Sequence, residues 1–395
     1  MSIIGKTNDI LSVIIYILDM NSIKYLFLAT LLFVLSSCDK DDEPSFVQSL
    51  EFGTELLSAD AAGGLLSVEV RANMPYEIVM PQDADWLKLM KDIQKTQSEA
   101  ASATLSFEVE KNMEESSRTT TVVIRAIEGI HADTLHISQS GLSDKTDITA
   151  EFNPAFVAIL QQKGYIDNIH HITCADVKDI TEVDVMGAEL TSLRGIEYFS
   201  ALTVLFCDDN QLTSLDMGYN ALLEYLFCSG NQLTSLNISR NAALKTLECN
   251  DNQLTSLDVS QNKGLEMLNC FRNQLTSLDI SHNVAITHLA CSENQLKNLD
   301  VSHNIILTSL WCDKNQLAFL DLSHNIDLGY LECQDNHLVN LDLSQNTSLW
   351  GLNCKNNPGN GGVFEVTLWV GSKLKAYTES WEYDGQTVAV KYIKN

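Results

Sequence analysis

The sequence predicts a mainly β chain, with a sandwich of short strands followed by a long solenoid of stacked turns on a parallel sheet. Three observations predict it. Eight cysteines, Cys207, Cys228, Cys249, Cys270, Cys291, Cys312, Cys333 and Cys354, recur every 21 residues, and the residues around them repeat in step. A fixed period of this length marks an array in which each unit forms one turn and leans on its neighbours. From about Phe46 to Gly141 the period is absent and apolar residues alternate instead, as on strands with one buried face. Ahead of both lie an apolar run and an acidic stretch.

A chain of 395 residues has room for two or more domains. It carries 52 acidic residues against 25 Lys and Arg, a formal charge of -27. That balance repels phosphate backbones and argues against nucleic acid as a partner. The acidity is read as the solvated surface of an exposed protein.

At the N-terminus, Lys24 precedes an apolar run through Leu35, which ends in the small residues Ser36 and Ser37 before Cys38. This order is that of a secretory signal peptide, and the run is too short to span a membrane. Leu35-Ser36-Ser37-Cys38 resembles the lipobox of bacterial lipoproteins, which implies cleavage before Cys38 and lipid on its thiol. Residues 1–37 are then the signal, with Met20 as the true start. A plain signal peptide or an uncleaved anchor are the alternatives, since Ile14 to Leu18 is also apolar. Residues 38–46 include Asp39, Asp41, Asp42 and Glu43 and read as an acidic tether. The acidic run resembles the export signal of surface lipoproteins in Bacteroidetes. The expected location is the cell envelope, on an outer membrane, facing outward.

Residues 47–142 are predicted to form the sandwich. Leu66-Ser-Val68-Glu-Val70, Leu105-Ser-Phe107-Glu-Val109 and Thr121-Val-Val-Ile124 alternate as strands, with turns at Gly63-Gly64 and Asn112. Several short strands in this length suggest two packed sheets of immunoglobulin-like type. Asp85-Trp86-Leu87, Asn112, Arg118 and Leu135-His-Ile-Ser-Gln139-Ser-Gly141 resemble the BACON domain, whose name implies carbohydrate binding. Trp86 is read as a core residue, with stacking on a sugar face as the alternative.

Residues 143–182 are expected to cap the array. Asn153-Pro154 opens an amphipathic helix that stops before Gly164. Repeats fill 183–357, beginning with a degenerate turn in which Val185 replaces cysteine. One full unit runs Leu244-Lys-Thr-Leu247-Glu-Cys249-Asn-Asp-Asn252-Gln-Leu254-Thr-Ser-Leu257-Asp-Val-Ser-Gln-Asn262. The pattern L-x-x-L-x-C-x-x-N-x-L resembles the leucine-rich repeat, and with the N-terminal segments it resembles cysteine-containing surface lipoproteins of that family. The resemblance implies recognition or adhesion. Residues 358–395 form a C-terminal cap of strands at Val363 to Val370, Lys373 to Tyr377 and Thr387 to Tyr392. Two asparagine columns, one from Asn210 to Asn357 and one from Asn220 to Asn346, are expected to satisfy turning backbone between coils.

The cysteine column shares its phase with the leucines, so its thiols are expected inside, as small hydrophobes. Disulfides between neighbours are the alternative, although nine cysteines besides Cys38 is an odd number. An acidic column, Asp216, Asp258, Asp279, Asp300, Asp321 and Asp342, is out of phase and faces water. Its mutual repulsion leaves calcium as a possible cofactor. No other cofactor and no metal ligand set is expected. His282, His303 and His324 align with Tyr219, Arg240 and Gln261, which marks a solvated turn.

The concave face of the sheet carries the columns that vary. Phe206, Tyr225 and Phe227 form one aromatic cluster on it, and Trp311 with Tyr330 forms another. Exposed rings on a sheet mark a partner site. No nucleophile elbow, phosphate loop or metal-binding helix motif occurs, so no catalytic residue is expected. The reading is a non-catalytic, lipid-anchored envelope protein that recognises a protein through the concave face. The alternative is a glycan-binding lipoprotein acting through the sandwich.

Overall fold

A computed structural model describes residues 49–91, 101–372, 374 and 380–394. The signal segment, Cys38, the acidic tether and most of Lys373 to Tyr377 lie outside the described residues. Among the described residues no helix is long and apolar enough to cross a membrane.

The first unit has eight strands: β1 Leu50–Phe52, β2 Leu56–Ala59, β3 Gly64–Ala72, β4 Tyr76–Val79, β5 Leu87–Lys91, β6 Ala101–Val109, β7 Arg118–Ala126 and β8 Ala132–Gln139. They form two four-stranded sheets in the orders β1-β3-β6-β5 and β2-β8-β7-β4. The period-two pattern explains the core. Leu105, Phe107 and Val109 of β6, and Val122 and Ile124 of β7, are buried at alternate positions and share one cluster. Asn112 is also buried, and its amide donates to the carbonyls of Ser116 and Ser140, tying the turn it starts to the end of β8.

The second unit is a solenoid. Nine parallel strands form one sheet, from Glu182–Asp184 through Val204–Phe206, Tyr225–Phe227, Thr246–Glu248, Met267–Asn269, His288–Ala290, Ser309–Trp311 and Tyr330–Glu332 to Gly351–Asn353. Leu205 pairs in register with Leu226, Leu226 with Leu247, and so on to Leu352. The repeat length sets this register, because a 21-residue turn returns each side chain to the same place in the next coil. The leucine and cysteine columns are therefore dry. Leu205, Cys207, Leu212 and their counterparts through Cys333 are wholly buried. Each fully buried apolar side chain contributes about 1.5–3 kcal/mol, but only once a neighbouring coil covers it. All nine described cysteines are free thiols. Burial pushes the Cys270 and Cys354 thiols up to about 12.

The two asparagine columns hold the turns. Asn231 donates its amide to the carbonyls of Cys228 in its own coil and Cys207 in the coil before, and accepts from the Leu212 N–H at 3.0 Å. Asn241 donates to the carbonyls of Met217 and Asn220. Each buried turn thus borrows its hydrogen bonds from the next coil. One residue per coil sits in the left-handed region, including Asp251, Arg272, Glu293 and Lys314 with φ from 49° to 53°. The tightness of the turn requires it, and it aims these four side chains along one flank.

Caps close both ends. The helix Pro154–Gln162 has Asn153 accepting from the Ala155 and Phe156 N–H groups, and Pro154 at its start. Phe152, Phe156, Tyr198 and Phe199 pack ring against ring beneath the first coils. Val183 and Val185 of the degenerate coil are wholly buried, so valine fills the place of leucine and cysteine there. At the other end Asn340–Leu343, Val363–Leu368, Gln386–Lys394 and Ser380–Tyr383 make a four-stranded sheet. Its Trp381 indole donates to the Asn357 carbonyl at 2.8 Å, stopping the last rung of the asparagine column.

The two units meet at Lys111. Its ammonium lies 2.5 Å from Glu197 and 3.0 Å from Glu151, and over the Tyr198 ring. Burial pulls this group down, but the hydrogen bond and charge of Glu197, then Glu151, outweigh it and leave it raised.

Candidate partner-binding face

Within each three-residue strand the central leucine points into the core, so its two neighbours point out. In the eight leucine-centred strands of the nine-stranded sheet, from Val204–Phe206 to Gly351–Asn353, these outward positions are half-buried except Gly351, which is buried. Phe206 and Phe227 stack with ring centroids 4.8 Å apart and planes within 9°. Their contact follows from the register, which pairs Phe206 with Phe227 across adjacent strands. Tyr225 flanks them on the parallel column, with the Lys245 ammonium 6.0 Å from its ring centre. The rings keep part of their surface exposed, so neither the first unit nor the cap seals them.

The second cluster is larger than the sequence suggested. Trp311 and Tyr330 lie 5.6 Å apart, and Trp350 joins them at 5.1 Å from Tyr330. Trp350 is 74% exposed. Its position precedes the strand, in a column that reads Thr203, Glu224, Lys245, Glu266, Thr287, Thr308 and Gly329, and nothing in that column signals an aromatic site. Two glycines seat these rings. A Cβ on Gly351 would fall 2.4 Å from Tyr330 Cδ2, and one on Gly329 would fall 2.9 Å from the Trp350 indole nitrogen.

Between the clusters lies a hollow of about 440 Å³ lined by Met267, Phe271, His288, Ala290, Trp311 and Asp313, with Asn269, Ser292 and Glu293 at its rim. It exists because Ala290 is small where its in-register neighbours are Asn269 and Trp311. Phe271, Ser292 and Asp313 belong to a third variable column, the residue after each cysteine. Its alternation with the cysteines was the available signal. Three carboxylates on this face, Asp208, Glu248 and Asp313, are raised above the ordinary range, each chiefly by burial.

Trp86 is buried, and the Arg118 guanidinium covers its ring at 4.5 Å. Arg118 is itself held by Gln139 at 2.8 Å and by the carbonyls of Glu110 and Lys111. A sugar would have to displace it. The structure places Trp86 in the core cluster of the first unit.

The acidic column is exposed, as its phase requires. Each carboxylate accepts the N–H two residues on, as Asp258 does from Ser260 and Asp300 from Ser302. The backbone N–H of that serine, then its hydroxyl, hold Asp258, Asp279, Asp300 and Asp321 below the usual carboxylate range. The column thus closes turns. Among the described residues no three or more His, Cys, Asp and Glu come together to hold a metal. His282, His303 and His324 are exposed beside their preceding serines.

No protein-family model matches the chain, and a search of curated proteins found no match. Solved structures do. The functional domain of InlJ from Listeria monocytogenes, described as including a cysteine ladder, is 35% identical over 50% of this chain and 51% of that one, with a TM-score of 0.42. An internalin C2 from Listeria monocytogenes is 24% identical over 55% of this chain and 98% of that one, with a TM-score of 0.47. YopM, a leucine-rich effector protein from Yersinia pestis, is 25% identical over 45% and 55%, with a TM-score of 0.39. The chain spans about half the length of the InlJ structure it matches. The chain is itself a parallel β-solenoid with a ladder of buried cysteines.

Proposed function

We propose that this is a non-catalytic recognition protein of the bacterial cell envelope, anchored by lipid on Cys38, that binds a protein partner through the open face of the nine-stranded sheet. The observation that carries the reading is the split between columns. The repeated leucine, cysteine and asparagine columns lie in the dry interior, whereas the outward columns of the nine-stranded sheet differ from coil to coil and include two aromatic clusters. A surface free to vary on a fixed frame is what a tailored interface needs, and aromatic residues dominate the energy of such interfaces.

The first unit, which the BACON resemblance would make carbohydrate-binding and immunoglobulin-like, is read as a spacer that sets the array away from an outer membrane. Its one candidate sugar platform, Trp86, is covered. Calcium is left out of the reading, since backbone N–H groups already engage the acidic column.

The test is capture of partner proteins from intact cells by the full chain and by Phe227→Ala and Trp311→Ala. Loss of a captured protein in both variants, with melting temperature unchanged, supports the reading. Capture insensitive to both, or binding only to a glycan array, rejects it. Labelling with radioactive palmitate, lost in Cys38→Ser, tests the anchor.

A further inference from the structure

We propose that the hollow beside Trp311 receives an arginine side chain from the protein partner. The inference rests on the open-face reading above and names the chemistry of one subsite within it.

The hollow has apolar walls and a charged end. Trp311, Phe271 and Met267 flank it, and Ala290 leaves the room. Asp313 is more than nine-tenths buried. One of its oxygens takes the Ser292 hydroxyl, its own backbone N–H also favours the charged form, and no cation pairs with it within salt-bridge distance among the described residues. The nearby cations are already engaged. Lys314 lies 2.8 Å from Glu293, and Arg272 spans Asp251 and Glu293 at 3.3 and 3.1 Å. A carboxylate withdrawn from water and left without a cation is costly unless something pairs with it. Burial already pushes Asp313 upward, as that cost predicts.

The occupant must therefore be a cation with an apolar, planar body. A guanidinium fits better than an ammonium. It is flat enough to lie on the Trp311 ring, it is weakly hydrated, and it donates several hydrogen bonds in one plane. The surrounding field favours it as well, since the chain carries 52 acidic residues against 25 basic ones. At about 440 Å³ the hollow holds the side chain and part of the backbone that presents it.

The test titrates the full chain with acetyl-Gly-Gly-Arg-Gly-Gly-amide and with the same peptide bearing lysine or citrulline. The readout is the indole N–H resonance of Trp311, assigned with Trp311→Phe. The arginine peptide is expected to shift that resonance saturably, the lysine peptide more weakly, and the neutral citrulline peptide at least about tenfold more weakly. Asp313→Asn and Ala290→Leu, one removing charge and one removing space, should each weaken arginine binding by about tenfold, while Ile130→Ala, at an exposed position of the first unit, leaves it unchanged. Equal binding of citrulline and arginine, or full binding by Asp313→Asn, overturns the assignment. A neutral oligosaccharide that shifts the resonance in wild type and Asp313→Asn alike also overturns it. If the arginine peptide fails while Trp311→Ala still abolishes partner capture, the guanidinium falls and open-face recognition stands. If the peptide binds while capture survives both aromatic variants, the site stands and the recognition reading falls.

Discussion

Asn294 offers the sharpest test of how the array is held together. Its amide donates to the carbonyls of Cys270, Cys291 and Ser292 at 3.0, 3.1 and 3.1 Å, and its oxygen accepts the Leu275 N–H at 2.9 Å. In Asn294→Ala the three carbonyls keep other donors, namely Asn273, Asn315 and the Arg272 N–H. The Leu275 N–H keeps none among the described residues. A stranded buried donor costs about 1–3 kcal/mol, and weakening three shared bonds adds about 1 more. The expected loss is therefore about 2–4 kcal/mol. Asn294→Asp keeps the acceptor for Leu275 but turns a carboxylate oxygen toward three carbonyl oxygens. At neutral pH it should be less stable than Asn294→Ala, and it should recover as acid protonates the new carboxyl and restores a donor. Urea unfolding at pH 7 and pH 4 measures both, with hydrogen exchange to show whether neighbouring coils open together. An Asp variant at least as stable as the Ala variant at pH 7, with no recovery in acid, would refute the account of the asparagine column.

Three further outcomes are expected. The ladder thiols should resist a water-soluble disulfide reagent at pH 8 in the native protein and react fully in urea, since burial holds Cys270 and Cys354 up at about 12; rapid native labelling of Cys270 would contradict their burial. Stability measured by denaturant should first rise slightly as pH falls from 7, because Asp208, Glu248 and Asp313 take up protons above their unfolded value of about 3.9–4.3 and folding gains from it. It should then fall steeply below about pH 4 as Asp258, Asp279, Asp300 and Asp321, depressed in the folded state, lose their serine N–H bonds; a monotonic decline from pH 7 would count against the raised group. Gly351→Ala should disturb the near-ultraviolet dichroism of the Trp311–Tyr330–Trp350 cluster and cost about 1–3 kcal/mol of stability, and an unchanged aromatic signal would show that Tyr330 does not need that space.

The amino-acid sequence by itself determined the frame. A 21-residue period forces equivalent residues into one column, and strand alternation then decides which columns face inward. Cys270, Asn252 and Leu247 were thus legible as interior, and Phe227 and Trp311 as outward, without coordinates. The same reasoning placed the Asn153-Pro154 helix start and left Val185 to substitute for cysteine in the first coil.

Only the tertiary structure decided what occupies the volume between columns. The hollow arises because Ala290 is small between Asn269 and Trp311, and because Phe271 and Asp313 come round from the turn after each cysteine. Trp350 reached the second cluster through the space left by Gly329. Arg118, held by Gln139 and two carbonyls, covers the Trp86 ring, and Lys111 joined the two units through Glu151 and Glu197. A column fixes the direction of a side chain, whereas a cavity, a cover or a junction depends on atoms that meet across coils or across domains, at separations no local pattern encodes.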